Sequence, residues 1–539
     1  MPPATPAARP VSGPPRDRRA WRFPGPAGAP RFEDDPPSVA VLGGGIAGLA
    51  AATVLAEAGA RVTVFERETE LGGRLRGWPV TLRDGSTVTM SRGFHAFFRQ
   101  YYNLRALLRR VDPELGMLRP LPDYPLVHSG GMLDSFAEIP RTPPWNALGF
   151  VARSPSFRWR DLLGMSPGPA MRLLDVSVPR VYAELDGISA RHLLDRIGFP
   201  EAAHHLAFEV FSRSFFADPG RLSAAELAVM FHIYFLGSSE GLLFDVPDEP
   251  FPQALWNPLG GYLSSHGVEV RTATRVESVG RGRGGGFAVA TGTEAHPCDA
   301  VVLALDVAGL RSLVGASPEL GDAAWRERIG ALRTAPPFLV SRLWLDRPVA
   351  EDRPGFLGTS AFGGLDNISV LDRWEGQARR WAGRTGGSVL ELHGYAVAPD
   401  ADRGRVEAGL LAQLHRVYPE TRQARVVDVR HEWHADCPLF PVGGFDGRPE
   451  VVTPDPALVM AGDIVRTPFP SALMERAAST GFLAADTLLH RWGVAGETVW
   501  SVPNRGRVPA LSALARALGG TPCNRGGGGG GIGGEASPH

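Results

Sequence analysis

Three glycines, Gly43, Gly45 and Gly48, stand in the stretch GGGIAG, and a carboxylate, Glu66, follows at about twenty residues. Residues of these types at this spacing hold a dinucleotide. Gly43 permits a tight turn, Gly45 lets the backbone approach a pyrophosphate, and Gly48 allows a helix to pack close to a strand. The N–H groups at the start of that helix favour the anionic diphosphate. Glu66 is placed to accept hydrogen bonds from ribose hydroxyls. These roles require particular elements around them. A short apolar strand, Val39 to Leu42, must lead into the turn. An alanine-rich helix must follow, and a second strand, Val62 to Phe65, must end at Glu66. Strand, turn, helix, strand and acid in this order make the βαβ unit of an α/β, Rossmann-like fold.

Beyond Glu66 the chain reads on to Gly72, Gly73 and Arg74. This tail resembles the FAD-binding motif of the amine oxidase and carotenoid desaturase superfamily. The resemblance implies that the two glycines bring backbone close to the diphosphate and that Arg74 adds a cationic fork. It also implies a main-chain contact to adenine at Val276. The segment LVMAGDIVRTPFPSALMERAASTGFLAADTLL, from Leu458 to Leu489, is similar to the second FAD motif of the same superfamily. There a strand ends at Gly462 and Asp463, and Asp463 is placed on the ribityl chain. A helix beginning near Met474 and Glu475 aims its positive end at the pyrimidine edge of the isoalloxazine, where it stabilises the anionic reduced flavin. Arg476 departs from the pattern, which usually has glycine at that position.

A third segment concerns the substrate. SRGFHAFFRQYYNLRALLRRVD carries Gly93, His95, Phe97, Phe98, Tyr101, Asn103 and Leu104 in the order G-x-H-x-F-F-x-x-Y-x-N-L. It resembles carotenoid desaturases and isomerases. Its wording is most similar to bacterial isorenieratene synthases, which turn the β-rings of β-carotene into aromatic φ-rings. The resemblance spans Ser38 to about His490. It implies FAD, a hydrophobic carotenoid substrate and an internal methyl shift that needs no S-adenosylmethionine. In such chemistry hydride leaves an allylic ring carbon for the flavin, a methyl migrates toward the resulting cation, and proton loss restores a double bond. A second oxidation completes the ring. The site must hold the ring on the flavin face, exclude water and accept a proton. His95 is the catalytic candidate, as a neutral imidazole. The other role open to it is a backbone hydrogen bond beside the flavin. Tyr101 and Tyr102 are aromatic walls or acid–base groups. Phe211, Phe215, Phe216, Phe231 and Phe235 line a tunnel for the polyene or fill an ordinary core.

At 539 residues, 44% of them hydrophobic, the chain is long enough for two domains. We expect a discontinuous FAD-binding domain over 37–110, 262–310 and 425–492, with an inserted α+β substrate domain over 111–261 and 311–424. Residues 1–36, rich in Pro, Ala and Arg, read as a disordered leader without a secretory signal. Residues 493–539 read as a tail, Gly-rich and flexible at its end. Net charge is -1, so nothing in the composition attracts nucleic acid. All 56 basic residues are Arg, which removes any lysine-held water or Schiff base. The three cysteines are far apart and fit neither a disulfide framework nor a zinc pattern, which suits a reducing cytoplasm. His204 and His205 lack a third ligand at useful spacing, and His431-Glu432-Trp433-His434 is no zinc-protease motif. We expect no metal. A carotene must be collected from a bilayer, so peripheral contact on the inner face of the cell membrane is expected. The Ala224–Gly237 segment and a helix near Ala510–Leu518 are the candidates for that contact; buried core is the other fate open to each, and the favoured one for Ala224–Gly237. Three alternatives remain: a linear carotenoid desaturase or isomerase, a flavin amine oxidase, and a carotenoid-binding flavoprotein without catalysis. Lack of lysine counts against the second, although Cys437 lies loosely where some amine oxidases attach flavin covalently.

Overall fold

The computed structural model describes residues 15–157, 164–198 and 216–518. The elements that build the site are, in chain order, β1 (Trp21–Phe23), β2 (Ser38–Leu42), α1 (Ile46–Glu57), β3 (Arg61–Phe65), α2 (Tyr102–Leu108), β4 (Leu126–His128), β5 (Leu133–Asp134), α3 (Trp145–Arg153), α4 (Ala190–Ile197) and α5 (Ala224–Phe231). They continue as β6 (Glu269–Arg271), β7 (Ala300–Leu303), β8 (Phe338–Leu345), β9 (Phe356–Ser360), β10 (Asn367–Val370), β11 (Ser388–Gly394), β12 (Val426–His434), β13 (Leu458–Met460), α6 (Leu473–Arg491), β14 (Val499–Ser501) and α7 (Pro509–Leu518).

A five-stranded parallel sheet runs in the order β6-β3-β2-β7-β13. Its central strands are buried on both faces, which is why SVAVL and AVVL are nearly all apolar. Val39 lies opposite Val62 on one side and Ala300 on the other. β2, β7 and β13 end level with one another, so the turns after Leu42, Leu303 and Met460 share one edge of the sheet. That edge is where open α/β sheets take their ligands. Helix α1 is buried along its whole length. Its small residues allow close approach by α6: a Cβ on Gly481 would stand 2.4 Å from the Ala47 carbonyl oxygen.

A seven-stranded sheet, in the order β12-β8-β11-β10-β9-β4-β5, faces this edge across a cavity. It is antiparallel except where β9 meets β4. Alternation divides its residues between two environments. Leu339, Leu343, Leu390 and Leu392 pack into a core with Leu410 and Leu414 of the helix Arg403–Val417. Arg342, Glu391 and His393 occupy the other positions of the same strands.

Ser189 caps α4 by accepting from the His192 N–H, and Ser223 caps α5. Glu226 stands three residues after Ser223, the capping-box position, but does not serve there. It turns into the core and meets Arg448 and Arg476. The expectation of a disordered leader over 1–36 is corrected for residues 15–36. β1 pairs antiparallel with β14, and buried Asp17 binds Arg507 at 3.0 Å and the Ser239 N–H at 2.9 Å. Composition missed this because the partner lies at the far end of the chain. Residues 1–14 and 519–539 lie outside the described residues. Of the two fates open to the Ala224–Gly237 segment it takes the core: α5 and the π-helical turn His232–Leu236 that follows are almost wholly buried.

Candidate functional site

One cavity of about 460 Å³ joins the parallel sheet's ligand edge to the seven-stranded sheet. Glycine shapes its first half. Gly43 has φ 110°, and a Cβ there would stand 2.4 Å from the Ala304 carbonyl oxygen. A Cβ on Gly48 would sit 1.9 Å from the Gly43 carbonyl oxygen. A Cβ on Gly73 would reach within 3.0 Å of the Gly45 Cα, so two bare glycine backbones frame one slot. Gly72, at φ 108°, lies against the Trp256 indole, which donates to the Leu75 carbonyl at 2.8 Å. Helix α1 begins at Gly45 with no side-chain cap, and Ile46 and Ala47 line the cavity. Its first N–H groups are therefore open to an anion. Glu66 holds the turn from the side: its Oε2 accepts from the Gly44 N–H at 2.7 Å and its Oε1 from the Glu68 N–H at 2.9 Å. Val276 lines the same end, with Leu305 and Gly309.

Arg74 and Asp463 also line the cavity, and they pair at 2.7 Å. Burial opposes the guanidinium charge, but the Asp463 carboxylate outweighs it and keeps Arg74 ionised. Gly462, at φ 147°, brings the adjoining turn to the cavity wall. Helix α6 starts at Leu473 and has no side-chain cap, and Leu473, Met474 and Ala477 line the cavity. Two uncapped helix N-termini and a bare glycine slot fit a dinucleotide with an anionic centre.

Glu475 is the correction in this half. Its side chain leaves the cavity and accepts from the N–H groups of Asn103 and Leu104 at 2.9 and 3.0 Å. Its side chain anchors the start of α2, and burial lifts its carboxyl to about 8. Arg476, the departure from the expected glycine, is buried beneath this wall. It donates to the backbone carbonyls of Ser471 at 2.6 Å and Asp463 at 3.3 Å, and to Glu226 at 3.0 Å.

The second half of the cavity is aromatic. Phe94, Phe98, Tyr124, Phe136, Phe244 and Phe356 line it, and Tyr124 stacks on Phe136 at 4.5 Å. His95 stands where the two halves meet. Its Nδ1 lies 3.0 Å from the Gly93 carbonyl oxygen. Burial takes its pKa down to about 4, so the ring is neutral. Nδ1–H donates to Gly93, and Nε2 carries the lone pair. Tyr101 lines the cavity and hydrogen-bonds the Tyr234 hydroxyl at 3.0 Å, whereas Tyr102 bonds Ser238 away from it. Phe216 lines the cavity. Phe231 and Phe235 stack on each other outside it at 4.9 Å. Phe211, Phe215, His204 and His205 lie outside the described residues. Cys437 lines the cavity beside Arg74, but burial pushes its thiol up to about 12, so it is no nucleophile at neutral pH.

Sequence reasoning missed one polar group in the aromatic half. His393 and Tyr395 line it, with Glu391 and Arg342 behind. The signal was the spacing in ELHGY: acid, imidazole and phenol at every second position, as one strand face requires.

The match to the family model described as flavin containing amine oxidoreductase covers residues 46–489. A carotenoid phi-ring synthase of Streptomyces griseus is 69% identical, over 93% of this chain and 97% of that protein. A carotenoid phi-ring synthase of Chlorobaculum tepidum is 27% identical, over 87% of this chain and 91% of its own length. Among solved structures, putrescine oxidase bound to putrescine superposes with a TM-score of 0.62 at 17% identity, covering 84% of this chain and 99% of that one. It shares the fold.

Proposed function

Because the chain belongs to the flavin-containing amine oxidoreductase family, grouped with the carotenoid phi-ring synthases, we propose that it binds FAD and desaturates the β-rings of β-carotene, with an internal methyl shift, to give φ-ring ends. The observation that carries this reading is the single cavity in which a bare glycine cradle opens directly into an aromatic chamber. The name of the relative that is 69% identical narrows the substrate from apolar molecules in general to a carotenoid.

FAD, when bound, supplies the hydride acceptor. The chain's own residues do the rest. Gly43, Gly45, Gly48, Gly72 and Gly73 leave room for the diphosphate, and the N-terminus of α1 neutralises it. Glu66 would hold the ribose, Val276 the adenine and Asp463 the ribityl chain, with Arg74 holding Asp463 in place. The start of α6 offers positive potential to the ring that takes the electrons. Phe94, Phe98 and Phe244 grip the polyene end and exclude the water that would trap a ring cation. The Nε2 of neutral His95 accepts a proton as the ring rearranges.

No helix among the described residues is long and apolar enough to cross a membrane. Peripheral contact with the inner face of the cell membrane is instead the role of α3. Trp145 and Leu148 on this helix are 64% and 56% exposed, while Phe150 on its other side stacks on Phe136 of the chamber at 4.9 Å. A carotene leaving a bilayer there would enter the aromatic half directly.

Expression in a β-carotene-producing host, with chromatography and mass analysis of the pigments, tests the reading. The expected pigment keeps its carbon count and lacks eight hydrogens. Extended linear carotenes would point to a linear desaturase. Unaltered β-carotene beside yellow, folded protein would overturn the substrate assignment.

A further inference from the structure

Each β-ring gives up two hydrides and two protons on its way to the aromatic state, and the two protons leave different ring carbons. His95 presents one open nitrogen, at the border with the cradle. A second polar group, His393 with Tyr395, stands in the cavity wall next to Gly93. We infer that Tyr395, His393 and Glu391 form a relay that accepts the second of these protons, with Tyr395 as the group that meets the ring. The inference rests on the carotenoid ring chemistry proposed above.

The geometry is that of a phenol backed by a base and an acid. Glu391 and His393 sit two residues apart on β11, and Tyr395 follows two further on, so all three point to one face. The Tyr395 oxygen lies 2.9 Å from His393 Nδ1 and 3.1 Å from Asn367 Nδ2. Asn367 can only donate there, so the tyrosine O–H donates to Nδ1. Phe216 packs edge-on to Tyr395 at 4.9 Å and fixes the ring in the wall. On the other side of His393, Nε2 faces Glu391 Oε2 at 3.6 Å, and neither atom makes a hydrogen bond. Arg342 donates to the other carboxylate oxygen at 2.6 and 2.8 Å, and also to Ser91 and the Thr89 carbonyl. Burial opposes the Glu391 charge, yet Arg342 overrides it and holds the carboxyl well below its ordinary range.

With Nδ1 accepting from Tyr395, neutral His393 carries its proton on Nε2, already turned toward Glu391, and a second proton at Nδ1 makes that approach one between opposite charges. A shift of under about 1 Å turns the 3.6 Å approach into a charge-assisted hydrogen bond. An interaction that strengthens as the proton arrives lowers the barrier more than it tightens substrate binding. In the step itself, a ring C–H bond breaks and its electron pair becomes the new ring double bond. The proton passes to the Tyr395 oxygen as the tyrosine proton moves to His393 Nδ1, and Glu391 balances the imidazolium. The proton then leaves to water. Bound FAD would supply the acceptor for the preceding hydride, with a quinone or dioxygen as the final oxidant.

The test uses full-length, flavin-loaded Tyr395→Phe and His393→Gln proteins beside the unaltered chain, with β-carotene in detergent micelles. Anaerobic flavin bleaching and pigment mass are both read. We expect kcat to fall about 10²-fold or more with KM within about twofold, and rings halted after one oxidation to accumulate. Should Tyr395→Phe be purified without flavin, His393→Gln scores the same step. Turnover within about threefold of the unaltered chain in both variants, with fully aromatic product, overturns the relay while leaving the proposed function standing. No bleaching by β-carotene in the unaltered chain overturns both.

Discussion

Replacing Glu226 by glutamine removes one negative charge from a site that holds two positive ones. Glu226 is 1% exposed and accepts from Arg476 at 3.0 Å, from the Tyr182 hydroxyl at 2.9 Å and from Arg448. Burial opposes its charge, but the two guanidiniums hold its carboxyl below the ordinary range. Glutamine keeps the shape, so no cavity opens. Its amide oxygen can satisfy one partner, while its NH2 group faces the other guanidinium, donor against donor. Breaking a buried pair in this way costs about 3–5 kcal/mol. One satisfied partner places the expected loss near the lower end, about 3 kcal/mol. The effect reaches the cofactor wall, because Arg476 also ties down the carbonyls of Asp463 and Ser471 just before α6. Urea unfolding of the flavin-loaded protein, followed by tryptophan emission and by released flavin, measures both. Flavin release is expected to precede or accompany unfolding at lower urea than in the unaltered chain. Glu450→Gln, at an exposed pair with Arg466, is the control and should change stability by less than about 1 kcal/mol. A loss below about 1 kcal/mol for Glu226→Gln, equal to that control, would refute the reasoning that one carboxylate organises this wall.

Gly48→Ala forces a methyl to within 1.9 Å of the Gly43 carbonyl oxygen, so the turn must open. The purified protein is expected to be colourless and to stay so after incubation with flavin, although its circular dichroism remains that of a folded α/β chain. Acid is expected to weaken the fold through His232, which is fully buried, lies 2.7 Å from the Pro503 carbonyl oxygen and has its pKa pushed down by burial to about 4. The unfolded chain binds that proton from about pH 6.5 downward and the folded chain only near pH 4, so stability falls as pH drops between the two, by up to about 3 kcal/mol. Urea midpoints at pH 7 and pH 4.5, compared with those of His232→Asn, check this; an equal acid loss in the variant would assign it elsewhere.

The cofactor half of the site was legible because its signals are local. Gly43, Gly45 and Gly48 act within one turn, and the Cβ clash at Gly48 is with the Gly43 carbonyl five residues back. Ser189 could be recognised as a cap because its partner is three residues along. Glu475 was misplaced because its partners, Asn103 and Leu104, are more than 370 positions away. Glu226 has the local spacing of a capping-box acid behind Ser223, but the fold gives it Arg476, 250 positions on. That same contact explains how arginine is accommodated where the superfamily pattern has glycine. The aromatic chamber was legible only in part. Phenylalanines at helical spacing do not say which face meets a cavity, and Phe216 lines it while Phe231 and Phe235 fill core.

The pairing of β1 with β14, and of Asp17 with Arg507, has a bearing on biosynthesis. A ribosome delivers the first strand of this pair nearly five hundred residues before the second. Throughout elongation Asp17 has no guanidinium to meet, and Trp21 to Phe23 have no neighbouring strand. The opening segment therefore waits, and its docking is among the last events of maturation, after the sheet edge that receives the nucleotide has already been translated.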